Sequence, residues 1–491
     1  MPAIITNKFR IHNSERFLQS FNTGNSPHNV YYLGIGRPQD FTTSTRPDGR
    51  TDNQGTDVAP ITPADSVTEE FYTFDDLLAA KKVGASNVSF VCPRRNWTTG
   101  TVYDIYRHDY GEYITGGTTA QTSNSGATTL HDATFYVLTA ARNVYKCLDN
   151  NGNATSTVEP TGTSTSIITT GDGYKWKYMY TLSAAQQSDF LSTDFMAVAT
   201  NSTVSSAAVD GAINIVRIKS AGSSGADGTH TNIDIRGDGS GGKVSVTVSS
   251  GSVTAVSVTT PGTGYTYGYI RNADIVTAGA TGLTGSELDP IIEPKGGHGF
   301  NAVSELGGFF VMVNTSLEGT ESSNTGDFTA ENNFRKIVLM RDPFSGGSAA
   351  SANTLRATKA VRFAASPTPG TFSVDEEINQ ASTGAVGKVV EWDATNRILH
   401  YIQTRFNDEG ADSNGNLVAF SGANVITGQG SGATGTPSST GSESADDITF
   451  TSGYAAAELD SDKGDVLYIE NRAPITRATD QTENIKLVIE F

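Results

Sequence analysis

Nine short segments rich in β-branched and aromatic residues, each fenced by Gly, Pro, Asn or Asp, limit what this chain can fold into. They are Val30–Ile35, Val88–Cys92, Phe135–Leu138, Val144–Leu148, Trp176–Leu182, Phe309–Val313, Lys336–Met340, Val466–Glu470 and Ile485–Phe491. Strands of this kind, without regular helical crossovers between them, predict antiparallel sheets rather than a parallel α/β sheet. Helical signals are few. Asn13 or Ser14 could cap a helix carrying Phe17, Leu18 and Phe21 that stops near Gly24. Phe74, Leu77 and Leu78 share a helical face in Thr73–Lys82, and a third short helix is expected near Ser183–Leu191. Helices this short are marginal alone and must dock on a larger body. The fold expected is mainly β: a layered antiparallel β-sandwich core, a few short helices in side loops, and two small inserted β-modules.

The inserts are read from composition. From about 204 to 284 the chain is rich in Gly, Ser, Thr and Val, and KVSVTVSSGSVTAVSVTT alternates Val with small polar residues across a Ser-Gly turn. That pattern is a β-hairpin signal. A similar texture returns at about 368–444, read as a small β-module closed by a flexible segment near Gly428–Ser442.

Charge excludes several partners. There are 34 Lys and Arg against 52 Asp and Glu, a formal net charge of −18 in 491 residues. Such a chain lacks the basic face that nucleic acid requires and is repelled by anionic membranes. The N-terminus lacks a signal-peptide layout, and no apolar run approaches the ~18 residues of a membrane helix. Two cysteines, Cys92 and Cys147, cannot build a disulfide scaffold. They fit buried free thiols in a reducing compartment, with one optional bridge.

Chemistry-bearing motifs fail one after another. Gly237–Val244, GDGSGGKV, has the glycine and lysine spacing of a phosphate loop, but Val244 stands where Ser or Thr is needed and a strand follows instead of a helix. The seven histidines (His12, His28, His108, His131, His230, His298 and His400) make no HExxH pair, and no CxxC occurs. His108-Asp109 has no nucleophile elbow beside it. Asp460–Asp465 and Asp412–Asn416 place oxygens at alternate positions but lack the rest of a calcium loop, so polar turns are the expectation. The adjacent pairs Asp75-Asp76 and Glu376-Glu377 diverge, as a glycosidase dyad must not. No catalytic residue, cofactor or metal is expected, and the chain is not read as an enzyme.

Three blocks are unlike generic β-protein: CPRRNW (Cys92–Trp97); VYKCLD (Val144–Asp149) followed by GDGYKWKYMY (Gly171–Tyr180); and YIENRAPITRATDQTENIKLVIEF (Tyr468–Phe491). In that order they resemble the baseplate wedge subunit encoded by gene eight in T-even-type contractile-tailed phages. TNKFR at Thr6–Arg10, Gly36-Arg37, PADSV at Pro63–Val67 and NNFRKIVLMRDPF at Asn332–Phe344 fit the same pattern. The resemblance covers roughly 1–200 and, more loosely, 300–365 and 450–491. It implies a wedge-subunit core of 1–203, 299–365 and 447–491, interrupted by β-modules at 204–298 and 366–446 that depart from the family pattern. It further implies a structural virion protein of the tail baseplate, assembled in the host cytoplasm. Such a protein forms a homodimer built on layered β-sandwiches and links neighbouring wedge subunits during assembly and tail contraction, with peripheral fibre-attachment proteins as further neighbours.

Within these blocks Trp97, Tyr145, Tyr174, Trp176 and Tyr468 are candidate anchors, serving either a core or a subunit interface. Arg94, Arg95 and Arg472 are expected in internal ion pairs or subunit contacts. Gly171 and Gly173 permit a tight turn, after which Tyr174, Trp176 and Tyr178 share one face of a strand and Lys175 and Lys177 the other. Pro474 places its stretch at a turn or sheet edge, and Asp480–Glu483 makes a polar turn into the last strand. The competing readings are an adhesin of the tail apparatus, binding host surface glycan through aromatics near Tyr265–Tyr269 or Trp392, and a calcium-dependent β-repeat protein.

Overall fold

A computed structural model describes residues 4–22, 24, 29–36, 41, 55–113, 118–318, 333–403, 410–476 and 482–491. His28, Arg37, Asn332 and the Asp480-Gln481 part of the expected turn lie outside them. The chain is mainly β, with several antiparallel sheets and few short helices. All nine segments expected as strands are strands, with ends shifted by a few residues. The chain divides into two compact units: Met1–Phe17 with Ser89–Met312 and Val488–Phe491, and Leu18–Val88 with Val313–Leu487.

The first unit is organised by a four-stranded antiparallel sheet in the order Tyr136–Leu138, Asn143–Asp149, Lys175–Thr181, Ile168–Thr169. Both faces are covered, so aromatic residues dominate the central strands. On one face Tyr103, Tyr145, Cys147, Tyr174, Trp176 and Tyr178 form a cluster. On the other, Val144, Leu148, Met179 and Tyr180 join Cys92, Tyr106, Phe135 and Met196. Both cysteines are free and buried, which lifts their thiols: Cys92 to about 12, and Cys147 well above its ordinary value. The helix Ala184–Phe190 begins on Ser183, whose hydroxyl accepts from Gln186 N while the Gln186 side chain returns to Ser183 N.

Residues 213–292 have a hydrophobic cluster of their own. Lys243–Ser249 and Ser252–Thr260 form the expected hairpin, flanked by Gly228–Asp234. Ser250 and Gly251 both have positive φ, 54° and 78°, as the twist-matched two-residue turn requires. The glycine-rich stretch is no phosphate loop: Gly237 pairs with Gly268 in a two-stranded ribbon, and Lys243 donates to Asp234 at 2.8 Å. Its glycines make room for Tyr265, since a Cβ on Gly239 would sit 2.4 Å from that ring. Tyr265 is buried; its hydroxyl accepts from Gly242 N at 3.1 Å and donates to Ile235 O at 2.9 Å. Tyr265→Phe strands both main-chain groups and is expected to cost about 1–3 kcal/mol, measurable as a lower urea midpoint for the full chain.

The second unit holds a five-stranded antiparallel sheet in the order Thr354–Arg356, Leu77–Val83, Tyr31–Gly36, Asn333–Arg341, Asp465–Thr476. The helix expected over Thr73–Lys82 is corrected here. Ser66 caps a helix over Val67–Asp76, and the chain becomes strand at Leu77. Leu77 and Ala80 are needed in the sheet core with Tyr32, Val338 and Met340, and this outweighs local helical spacing. Asp465–Thr476 is an edge strand, as Pro474 suggested, and its register slips across 472–474 so that the proline has no ladder bond to make.

A seven-stranded sheet runs Thr434–Gly435, Ile426–Gly428, Glu377–Gln380, Ala385–Asp393, Ile398–Ile402, Lys359–Arg362, Tyr454–Ala455. The stretch 428–442, expected to be flexible, contributes a strand to this sheet and buries Ala433 and Ser438. Glu376 is what fixes it: its carboxylate accepts from Gly430 N, Ser431 N and the Ser431 hydroxyl. Trp392 packs against Phe363 and Phe372, 5.7 and 5.4 Å between ring centroids, and is no exposed platform.

Candidate functional site

The densest polar chemistry among the described residues is a buried ionic centre in the first unit. It starts from strand register. Lys146 lies directly opposite Lys177 on the neighbouring strand. Each sits between aromatic or thiol residues of the Tyr103–Trp176 cluster, so both lysines point to the opposite face. Two like charges side by side on a covered sheet face require neutralisation. The segment 293–305 supplies it. Lys146 donates to Glu305, with side chains 0% and 3% exposed. Glu305 also accepts from Gly299 N at 2.9 Å and Asn301 N at 3.1 Å, which anchors the Gly297–Asn301 turn. Glu293 accepts from His298 N at 2.8 Å and from the Asn214 amide. Lys177 donates to Thr165 O at 2.5 Å.

His298 fills the middle. Its ring stands edge-on to Tyr106 at 4.7 Å, with Glu293 and Glu305 each 4.0 Å from a ring nitrogen. Burial, then Lys146 and Lys177, hold its protonation well below the ordinary range. Burial raises Glu293, and burial with the nearby Glu305 and Glu293 raises Tyr106. Burial lowers Lys177, opposed by Glu293. Charges are thus matched inside the chain, and the arrangement pins a glycine-rich turn to a sheet. Among the described residues no three His, Cys, Asp or Glu are grouped to hold a metal ion.

The other candidates of the sequence spend themselves on structural contacts within the chain. His108 accepts from Ile292 N at 3.3 Å, and Asp109 is held by Arg107 at 2.7 Å. Asp412 accepts from Asn414 N and Asn416 N, as a polar turn does, whereas Asp460 departs from that expectation and accepts from Gly346 N and Gly347 N in a distant hairpin. Asp76 pairs with Lys336 at 3.1 Å.

The predicted anchors separate by location. Tyr145, Tyr174 and Trp176 are fully covered within the chain. Tyr174 stacks on Trp176 at 5.4 Å and donates to Ala154 O at 2.5 Å, and Tyr145 donates to Gly162 O at 2.6 Å. Trp97 is half-buried beside them and donates to the Ser156 hydroxyl at 3.1 Å. In the turn before Trp176 only Gly173 has positive φ, 84°; Asp172 completes it by accepting from Thr157 N, Val158 N and Tyr174 N. Arg94 and Arg95 give their donors chiefly to main-chain carbonyls, not to the expected carboxylates. Arg94 reaches Ser192 O at 2.7 Å; Arg95 reaches Ala133 O and His131 O and lies over the Tyr136 ring at 4.7 Å. Tyr468 and Arg472 lie elsewhere, half-buried on the edge strand, where Tyr468 donates to Glu470 at 3.0 Å. Sequence reasoning missed Lys146, Glu293, His298 and Glu305; their signal, an unusual pair of lysines in register, needs the strand pairing first.

These features describe a mainly antiparallel β protein whose buried charges are neutralised internally. Residues 3–151 match the protein family described as bacteriophage T4, Gp8, a baseplate wedge family. The matched span contains Thr6–Arg10, Cys92–Trp97 and Val144–Asp149 from the blocks that carry the resemblance, and the family implies a structural role in the phage baseplate. No curated protein matches the chain. No helix among the described residues is long and apolar enough to cross a membrane.

Proposed function

We propose that this chain is a structural subunit of a phage tail baseplate wedge and forms a homodimer. In this role it links neighbouring wedge subunits during assembly and tail contraction, with peripheral fibre-attachment proteins as further neighbours. The family match over residues 3–151 carries this reading. It is in keeping with a centre in which Lys146, Glu293, His298 and Glu305 are committed to holding a turn. In the same reading 204–298 and 366–446 are modules inserted into a core of 1–203, 299–365 and 447–491, the first having its own hydrophobic cluster. Tyr468 and Arg472, on an edge strand, are the anchors placed to meet a partner; Tyr145, Tyr174 and Trp176 serve the core.

Cross-linking mass spectrometry on intact phage particles tests this. The expected result is links from the chain to itself and to other wedge subunits, with the purified protein sedimenting at twice its 51.7 kDa mass. Links to tail fibres alone, or a trimer in solution, would overturn it in favour of an adhesin.

A further inference from the structure

A built surface patch lies on the module at 213–292. The stretch Tyr267–Arg271 alternates. Gly268 faces inward, where a Cβ would come within 3.0 Å of Ile213, and Ile270 is buried. Tyr267, Tyr269 and Arg271 therefore point outward. The two tyrosines are 57% and 47% exposed, in a module whose remaining aromatic, Tyr265, is buried. Arg236 is the cross-strand partner of Tyr269 and shares its face.

The patch is rigid. Asp238 accepts from Thr266 N at 2.9 Å and from Tyr267 N at 3.3 Å, fixing the approach to the first tyrosine. Asp274 is gripped by two guanidinium forks: Arg236 at 2.8 and 3.0 Å, and Arg271 at 3.0 and 2.8 Å. Each arginine spends two N–H groups there and keeps its others. Asp234, within electrostatic reach of Arg236 and paired with Lys243, and Asp238 beside the tyrosines balance the local charge, so the patch offers unspent guanidinium N–H donors rather than a net positive field. The Tyr269 phenol lies within electrostatic reach of both arginines.

We propose that Tyr267, Tyr269, Arg236 and Arg271 form a binding site for a short acidic saccharide. The tyrosine rings offer flat apolar faces with hydroxyl tips, which suit the C–H face and hydroxyl edge of a sugar ring. The guanidinium forks, already immobilised by Asp274, suit a carboxylate and lose little freedom on binding it. The acidity of the whole chain repels long polyanions, so the ligand is short and carries a single charge. This assignment rests on the patch alone and is independent of the baseplate reading.

The test is titration of the full chain with sialyllactose and with lactose, its neutral counterpart, followed by ligand-observed NMR. Sialyllactose is expected to bind in the millimolar range or better, about tenfold more tightly than lactose. Tyr269→Ala is expected to weaken both by about tenfold, and Arg271→Gln to remove the preference for the acidic sugar. Because these side chains are exposed, unchanged melting of each variant separates loss of binding from loss of fold. The proposal is overturned if neither sugar binds at about 10 mM, if both bind alike, or if the variants bind as the parent does. Displacement of sialyllactose by a hexaglutamate peptide would equally overturn it, marking a general anion patch.

Discussion

Lys146→Met is expected to lower the stability of the first unit by about 3–5 kcal/mol. Few single substitutions in this chain should do more. Methionine matches the lysine in bulk, so packing changes little and the loss reports the charge. Glu305 would be left with main-chain donors from Gly299 and Asn301 but without the cation it faces at 3% exposure. A buried carboxylate so stranded must either stay charged in a poor medium or take up a proton, and both weaken the fold. The pairing has a second signature. In Lys146→Met with Glu305→Leu neither charge remains, and the double variant should lose clearly less than the sum of the two single changes. Urea denaturation followed by tryptophan emission measures this. Trp97 and Trp176 lie in the first unit and Trp392 in the second, so a Trp392→Phe background makes the signal report the unit concerned. A loss below about 1 kcal/mol, the range of exposed pairs, would show that the centre does not depend on this bond.

The same lysines show where sequence reading stops. Period-two alternation in YKWKYMY correctly sorted Tyr174, Trp176 and Tyr178 onto one face and Lys177 onto the other. Alternation says that faces differ, and a lysine face ordinarily means solvent. Here that face is covered by a turn that arrives from residues 293–305, more than a hundred positions away, and no local pattern announces such a partner. Segments whose environment is set locally were legible. The Ser250-Gly251 hairpin follows from turn chemistry, and the edge position of Pro474 from its missing donor. Leu77–Val83 was misread because Phe74, Leu77 and Leu78 have helical spacing, while the sheet that claims Leu77 and Ala80 is assembled from distant strands. For Arg94 and Arg95 the ion-pair alternative gives way for a related reason: an acidic composition favours carboxylate partners, but loop carbonyls at 131–133 and 192 stand nearer.

Acid is expected to weaken both units from about pH 6.5 downward, because His298 and His400, buried, and His131, half-buried, are held in neutral form. In the second unit burial, then the charge of Arg356, brings His400 from its ordinary 6.5 to about 4, with Asp393 opposing. Thr358, 3.4 Å from its Nδ1, is its neighbour in the interior. In the first unit burial lowers His131 to about 4, aided by Arg95 and Arg10 and opposed by a main-chain contact at Ser304 and by Asp132, while burial holds His298 well below its ordinary value. The sign follows from which state takes the proton first. Between pH 6.5 and 4 the unfolded chain binds it and the folded chain does not, so stability is full above about 6.5 and falls as pH drops toward 4. For His400, 4% exposed, the whole window corresponds to about 3 kcal/mol. Glu293 runs the other way, since burial raises it and acid relieves its charge; the first unit should therefore lose less than its two histidines alone imply. The measurement is the urea midpoint of each unit between pH 4 and 8. His400→Gln should flatten the slope for the second unit by most of that about 3 kcal/mol, whatever it does to stability at pH 8. An unchanged slope in this variant would mean that His400 is reached by water before the unit unfolds, and the burial argument would fail for it.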